Sequence, residues 1–278
     1  GFEFVWLTPM LGEAFADPHI SDKFHQLEAE PRINGYSFYS NFILARAHQI
    51  ADLPKLHKLA GIFISLYGFD KDSFEKTTRK PASQFDKLQK NLNNLLELMD
   101  DWKLRDGINF NVRTENTGIP IIERDNPQGE LLRMFIAKGA SVSEATEYDN
   151  WGGTISQSEV HSLGINLVDG NNLYMHGTCT KVFSEVQIKA DGQVHACACR
   201  DMDGSLVIGD LEQDKLENIL SFKNEPYRKL IESQMRGTFG SNCRSCSSYR
   251  SIFDSRSAQS NRGLDVMAYD QACDLLKG

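Results

Sequence analysis

The chain has 278 residues, with 38 acidic against 30 basic side chains and a formal net charge of −8. That balance, without any block of Lys or Arg, excludes the electrostatic footprint of a nucleic-acid binder, and the apolar runs are too short to span a membrane. Six cysteines, all from Cys179 onward, fit metal ligands in a reducing, cytoplasmic compartment better than a disulfide scaffold. The length suffices for one large domain and a small one.

The chain starts at Gly1 without Met, directly at the strand-like run Phe2–Leu7, which reads as a missing N-terminus. The turn Thr8 to Glu13 follows, and Asp17-Pro18 opens a helix with Asp at the cap and Pro at the first helical position. Tyr36 to Tyr39 reads as a second strand ending at Ser40-Asn41, Ala45 to Leu59 as helical, and Gly61 to Tyr67 as a buried strand. Phe85, Leu88, Leu92, Leu95, Met99 and Trp102 recur at three- and four-residue steps, marking an amphipathic helix of about five turns. Ile108 to Val112 is the next strand, and Gly129 to Ala137 a short helix. Alternating strands and helices predict parallel β/α units, with ligand sites at the strand C-terminal ends.

From Ala140 the pattern loosens. Tyr148 to Gly153 is turn-forming, Ser156 to Asn172 reads as linker, and a domain boundary falls near residue 172. Beyond it, Asp191-Gly192 marks a hairpin and Asp203-Gly204 a second turn. A helix is expected from about Glu212 to Leu220. Another opens at Pro226, with Asn224 as a cap, and stops at Gly237.

This hairpin and helix frame the cysteines. Cys179 is followed after twelve residues by Gly192 and after four more by Cys197, and Cys243-Arg244-Ser245-Cys246 closes the set. Such spacing lets a hairpin and a tight turn each deliver two sulfurs to one centre. Cys199 shares the side of an extended chain with Cys197 and is the alternative second ligand. His176 and His195 lie near cysteines but read as non-ligating, and Cys273 as incidental.

The Cys–Gly–Cys spacing and the final Cys-x-x-Cys resemble the C-terminal SPASM/twitch auxiliary-cluster module of radical S-adenosylmethionine (SAM) enzymes. Val207-Ile208-Gly209-Asp210-Leu211, a helical run and Arg228 fall in that family's order. The full SPASM module carries further cysteines soon after the Cys-x-x-Cys; here Ser247, Ser248 and Tyr249 follow, which favours the shorter twitch form with one auxiliary 4Fe-4S cluster. The resemblance implies an α/β fold: a partial TIM-like radical SAM barrel over 1–172, a small α+β SPASM/twitch domain over 173–254, and a tail over 255–278.

Further residues carry the likeness into the first domain. Gly12 and Glu13 match the Gly-Glu that receives the SAM amino group, glycine allowing close backbone approach and the carboxylate pairing with the ammonium. Asn41 resembles the end of the family's third strand, and Ser65 the fourth-strand Ser that contacts SAM. Arg79 resembles the Arg suited to the SAM carboxylate, at a slightly long spacing from Ser65.

The family's first cluster sits on a Cys-x-x-x-Cys-x-x-Cys loop after the first strand, where it splits SAM to a 5′-deoxyadenosyl radical. No cysteine precedes Cys179. The resemblance therefore implies that a second 4Fe-4S cluster belongs to a missing N-terminal segment, and that this chain alone is inactive with no catalytic residue of its own. It also implies a peptide or small natural-product substrate and an electron donor such as flavodoxin or ferredoxin. Two plainer readings stand beside it: a non-redox β/α binding module with a structural four-cysteine zinc site, and a hydrolase or aldolase barrel, for which no nucleophile–base or Lys constellation stands out.

Overall fold

A computed structural model of the chain describes residues 3–8, 12–114, 118–145, 147–150, 155–168, 175–197, 200–201, 203–244, 246–253, 271 and 274. Contacts divide it into two compact units, Gly1–Thr146 with Ser162–Ile165, and Glu147–His161 with Asn166–Gly278.

The first unit is built on five strands, β1 (Phe4–Leu7), β2 (Gly35–Ser40), β3 (Leu59–Tyr67), β4 (Gly107–Arg113) and β5 (Ser141–Glu144). They pair in chain order and all parallel. Helices α1 (Ile20–Ala29), α2 (Ala47–Asp52), α3 (Lys71–Thr78), α4 (Ser83–Leu98) and α5 (Pro127–Ala137) fill the crossovers, as parallel pairing requires.

Strand alternation gives the sheet two unlike faces. Phe38, Ile62, Ile64, Leu66, Ile108, Phe110 and Val112 are buried in one cluster with Phe24 of α1, Ile50 of α2, Leu88, Leu92 and Leu95 of α4, and Phe135 of α5. The other face carries Trp6, Tyr39, Phe63, Ser65, Tyr67, Asn109, Asn111 and Arg113, which remain half-buried or exposed. In a sheet covered on both sides each strand would read as a continuous apolar run. The alternation in β4, Ile-Asn-Phe-Asn-Val-Arg after Gly107, instead marks one polar face.

Several local expectations need correction. The helix expected from Asp17-Pro18 begins at Ile20, because the Asp17 carboxylate accepts from the His19 amide at 2.8 Å and holds a turn ahead of it. The helix expected over Ala45–Leu59 ends at Asp52; Pro54 converts the next turn into 3₁₀ helix, Leu53–Lys55, as loss of its N–H dictates. Trp102 lies beyond the C-terminus of α4. Helix α3 was not anticipated, although Asp70 caps it by accepting from Ser73 N at 2.8 Å.

The second unit opens with β6 (Glu147–Tyr148), α6 (Gln157–Val160) and β7 (Asn166–Leu167), β6 and β7 pairing in parallel. Part of the expected linker is therefore ordered structure. Then come α7 (Lys181–Ser184), β8 (Gln187–Ile188), β9 (Gln193–His195), β10 (Val207–Asp210), α8 (Leu216–Ile219), α9 (Glu225–Met235) and α10 (Ser241–Arg244). Strands β8, β9 and β10 form an antiparallel sheet. The β8–β9 hairpin turns at Gly192, whose φ of +84° lies where other residues are strained. Val194, Ile208, Ile219, Tyr227 and Ile231 pack as this unit's core.

Helix α8 is shorter than expected, and Asn224 occupies the N-cap of α9 without capping it. Its amide donates instead to the carbonyls of Ile208 and Ile219, at 2.8 and 2.7 Å. Among the described residues no helix is long and apolar enough to cross a membrane.

Candidate functional site

The second unit brings four cysteines to one place. Cys179, Cys197, Cys243 and Cys246 line a single cavity together with Arg200 and Gln234. Cys179 is held in a short antiparallel bridge to Ser251, flanked by bonds from Thr180 N to Arg250 O at 2.8 Å and from Ile252 N to Thr178 O at 3.0 Å. Cys197 follows β9, where Ala196 N donates to Leu206 O at 3.0 Å. Cys243 lies in α10, and Cys246 N donates to Cys243 O at 3.2 Å. Cys199 and Cys273 lie outside the described residues.

A buried polar network ties the loop after Cys197 to the helix of Cys243. Asp201 accepts from His195 Nδ1, from Leu206 N at 3.0 Å and from Ser205 Oγ at 3.2 Å. Asn242, next to Cys243, donates to Asp201 at 3.4 Å and to Asp203. His195 and Asp201 are fully buried. His195 is not among the residues lining the cysteine cavity.

The chemistry of this donor set fits a metal cluster. Burial, reinforced by the neighbouring sulfurs, pushes the Cys243 thiol up to about 12 and the Cys246 thiol up to about 11. Cys179 is raised as well, chiefly by burial. Deprotonated together in this half-buried cavity, the four sulfurs would repel one another unless a cationic centre neutralised them. The cavity's cations also pair with carboxylates, Lys181 with Glu185 at 2.9 Å and Arg200 with Asp149 at 2.7 Å, and each favours the thiolate of a nearby cysteine, Lys181 that of Cys179 and Arg200 that of Cys246. Among the described residues, no three His, Cys, Asp or Glu side chains converge closely enough for one metal ion.

In the first unit, Glu13 and Asn41 meet at the C-terminal end of β2. The Glu13 carboxylate accepts from Asn41 N at 2.7 Å, from Phe15 N at 3.2 Å and from Ser40 Oγ. Two oxygens offer about four acceptor positions, so one position beyond these three bonds remains. Gly12 has φ +118°, and a Cβ there would meet nothing within 4 Å. The glycine thus serves backbone conformation in open space.

Asn41 follows Ser40, which pairs with Ile64, so it lies level with Ser65 of β3. Ser65 sits within the strand, two residues before its end, on the polar face beside Asn111. Arg79 is exposed at the left-handed C-cap of α3, φ +57°, where its backbone N–H donates to Glu75 O at 2.8 Å. No contact among the described residues joins Ser65 or Arg79 to Glu13.

Features not read from the sequence complete this face. Arg113 Nη1 donates to Tyr67 Oη at 3.2 Å, and Trp6, Tyr39 and Phe63 form an aromatic patch with Tyr39 and Phe63 stacked at 4.8 Å. The alternation of β4 was the available signal. The loop after β2 is pinned by buried Asn91 of α4, whose amide donates to the carbonyls of Phe42 and Ala45, both at 2.9 Å, and of Ile43 at 3.3 Å. These bonds hold Phe42 at φ +63°, a conformation costing about 1–3 kcal/mol for such a residue.

Comparison with known proteins bears on both units. A family model for SPASM, an iron–sulfur cluster-binding domain, matches residues 179–247. Streptococcus suis SuiB matches over 83% of this chain and 57% of its own, at 16% identity and TM-score 0.52. SuiB bound to precursor peptide SuiA matches over 78% and 53%, at 15% identity and TM-score 0.51. Native anSMEcpe with bound AdoMet and Kp18Cys peptide covers 99% of this chain and 83% of its own, at 14% identity and TM-score 0.49. No curated protein sequence matches the chain. The family model thus marks residues 179–247 as similar to an iron–sulfur cluster-binding domain, and SuiB shares the chain's fold.

Proposed function

We propose that this chain, a radical SAM-type α/β fold carrying a SPASM iron–sulfur domain, is part of an enzyme that modifies a peptide by radical chemistry. The observation that carries the reading is the convergence of Cys179, Cys197, Cys243 and Cys246 on one cavity inside the matched segment. Those four thiolates hold one auxiliary 4Fe-4S cluster, and residues 173–254 form its domain. Bound there, the cluster supplies a one-electron acceptor or donor. A structural zinc site on the same four cysteines is the competing reading, and metal analysis separates the two.

SAM lies along the polar face of the five-stranded sheet. Glu13 accepts the SAM ammonium at its remaining acceptor position. Asn41, just past the end of β2, and Ser65 of β3 contact the rest of the molecule. Gly12 lets the loop pass close by. Arg79 takes the carboxylate bidentately, its exposed side chain being free to swing. A peptide is favoured over other substrates because SuiB is described in complex with a precursor peptide. SAM cleavage requires a further 4Fe-4S cluster on a Cys-x-x-x-Cys-x-x-Cys segment, which is not among these 278 residues. The proposal therefore concerns a protein that contains both, cytoplasmic and served by a flavodoxin or ferredoxin.

The test uses that longer protein with SAM and a strong reductant. It should release 5′-deoxyadenosine, and Cys243→Ala/Cys246→Ala should keep that release while losing modified product. Failure of the unaltered, cluster-loaded protein to cleave SAM removes the radical SAM reading. A folded double variant that makes product at the normal ratio leaves the auxiliary site a structural role only.

A further inference from the structure

The cysteine cavity contains one side chain that touches two of the four cysteines. Gln234 of α9 is 1% exposed. Its Oε1 accepts from the Cys179 backbone N–H at 2.9 Å, and its Nε2 donates to Cys243 Sγ at 3.5 Å. The orientation of the amide is fixed chemically. The Cys179 N–H can only donate, so the amide oxygen must face it; the amino group is then left for the sulfur, which as a thiolate only accepts. Helix α9 supplies a rigid base, since Ile231, one turn earlier, packs in the core and its carbonyl accepts from Thr178 Oγ1 at 3.1 Å.

We infer that Gln234 is a positioning residue for the auxiliary cluster, setting the spacing of Cys179 and Cys243 and raising the cluster's reduction potential through its N–H···S bond. The inference rests on the four-cysteine cluster reading. Reduction adds negative charge that is shared with the cysteine sulfurs. A donor aimed at one sulfur stabilises the reduced form more than the oxidised form, and so raises the potential.

The experiment is a redox titration of the anaerobically reconstituted full chain, followed by EPR, with iron and sulfide determined on each sample. Gln234→Met keeps the volume and removes the donor. Gln234→Glu keeps the acceptor for Cys179 N–H and replaces the donor with an oxygen. Both should load the cluster and show a lower potential than the unaltered chain. A loaded Gln234→Met variant at the original potential overturns the inference and leaves the cluster reading intact.

If neither variant loads, the unaltered chain decides. With ¹⁵N in the glutamine side chains, pulsed EPR of the reduced cluster should show a ¹⁵N coupling and an exchangeable proton, and their absence overturns the inference. An unaltered chain that binds no iron overturns the cluster reading and the inference together.

Discussion

Glu13 can be separated into a structural and a binding role by two substitutions. Its carboxylate clasps the loop after β2 through the amides of Asn41 and Phe15 and the hydroxyl of Ser40. Glu13→Ala orphans both amides, while the hydroxyl can turn elsewhere. A hydrogen bond to a charged group contributes about 1.5–3 kcal/mol, and water reaches this half-buried site. The net loss of stability should therefore be about 2–3 kcal/mol.

Glu13→Gln can keep its oxygen toward Asn41 N and turn its amino group toward Ser40 Oγ. Only the Phe15 amide then faces a donor, at a cost of about 1 kcal/mol. Urea denaturation of this chain should rank the unaltered protein, then Gln, then Ala. SAM affinity, measured calorimetrically in a protein that also carries the SAM-cluster segment, should follow a different order. Both variants lose the charge, so both should bind roughly ten- to a hundredfold more weakly. Equal stability of the Ala variant and the unaltered chain would refute the clasp. Unchanged SAM binding by the Gln variant would refute the ammonium site.

Other perturbations test the remaining parts. Cys179→Ala, Cys197→Ala, Cys243→Ala and Cys246→Ala should each abolish the iron absorbance, whereas Cys273→Ala should not; loss on Cys199→Ala with retention on Cys197→Ala would reassign the second ligand. In the metal-free chain, burial holds Cys243 and Cys246 up to about 12 and about 11, so on raising pH the unfolded thiols lose their protons first. Stability should then fall from about pH 8.5 upward, and thermal melts from pH 7 to 10 should show a smaller fall in Cys243→Ala/Cys246→Ala, where the raised Cys179 thiol remains; an equal fall in that variant would contradict the assignment. Asn91→Leu leaves the loop carbonyls of Phe42 and Ala45 without their donor and should cost about 2–4 kcal/mol by urea denaturation, and a loss under about 0.5 kcal/mol, the size of an ordinary surface change, would show that the loop holds itself.

What could be read in the sequence follows from how locally each feature is encoded. The strand runs, the stripe of α4 and the Asp191-Gly192 hairpin depend on near neighbours, and they stand close to where the pattern put them. Cysteine spacing was equally legible, because few arrangements other than a shared centre bring such residues together. Helix α3 escaped because it buries one large apolar side chain, Phe74, leaving no stripe to read. Asn224 was misjudged because a tertiary contact outcompeted the local cap. Gln234 and Asn91 were illegible for the same reason. A polar residue on a helix acquires its meaning from carbonyls or amides far along the chain, and here those lie 46–55 residues away.

The central claim is that the four cysteines hold an iron–sulfur cluster. Iron, sulfide and zinc should be measured on the anaerobically reconstituted chain, with Cys243→Ala/Cys246→Ala alongside. The account predicts about four iron and four sulfide per chain, lost in the double variant. One zinc per chain without iron or sulfide would contradict it.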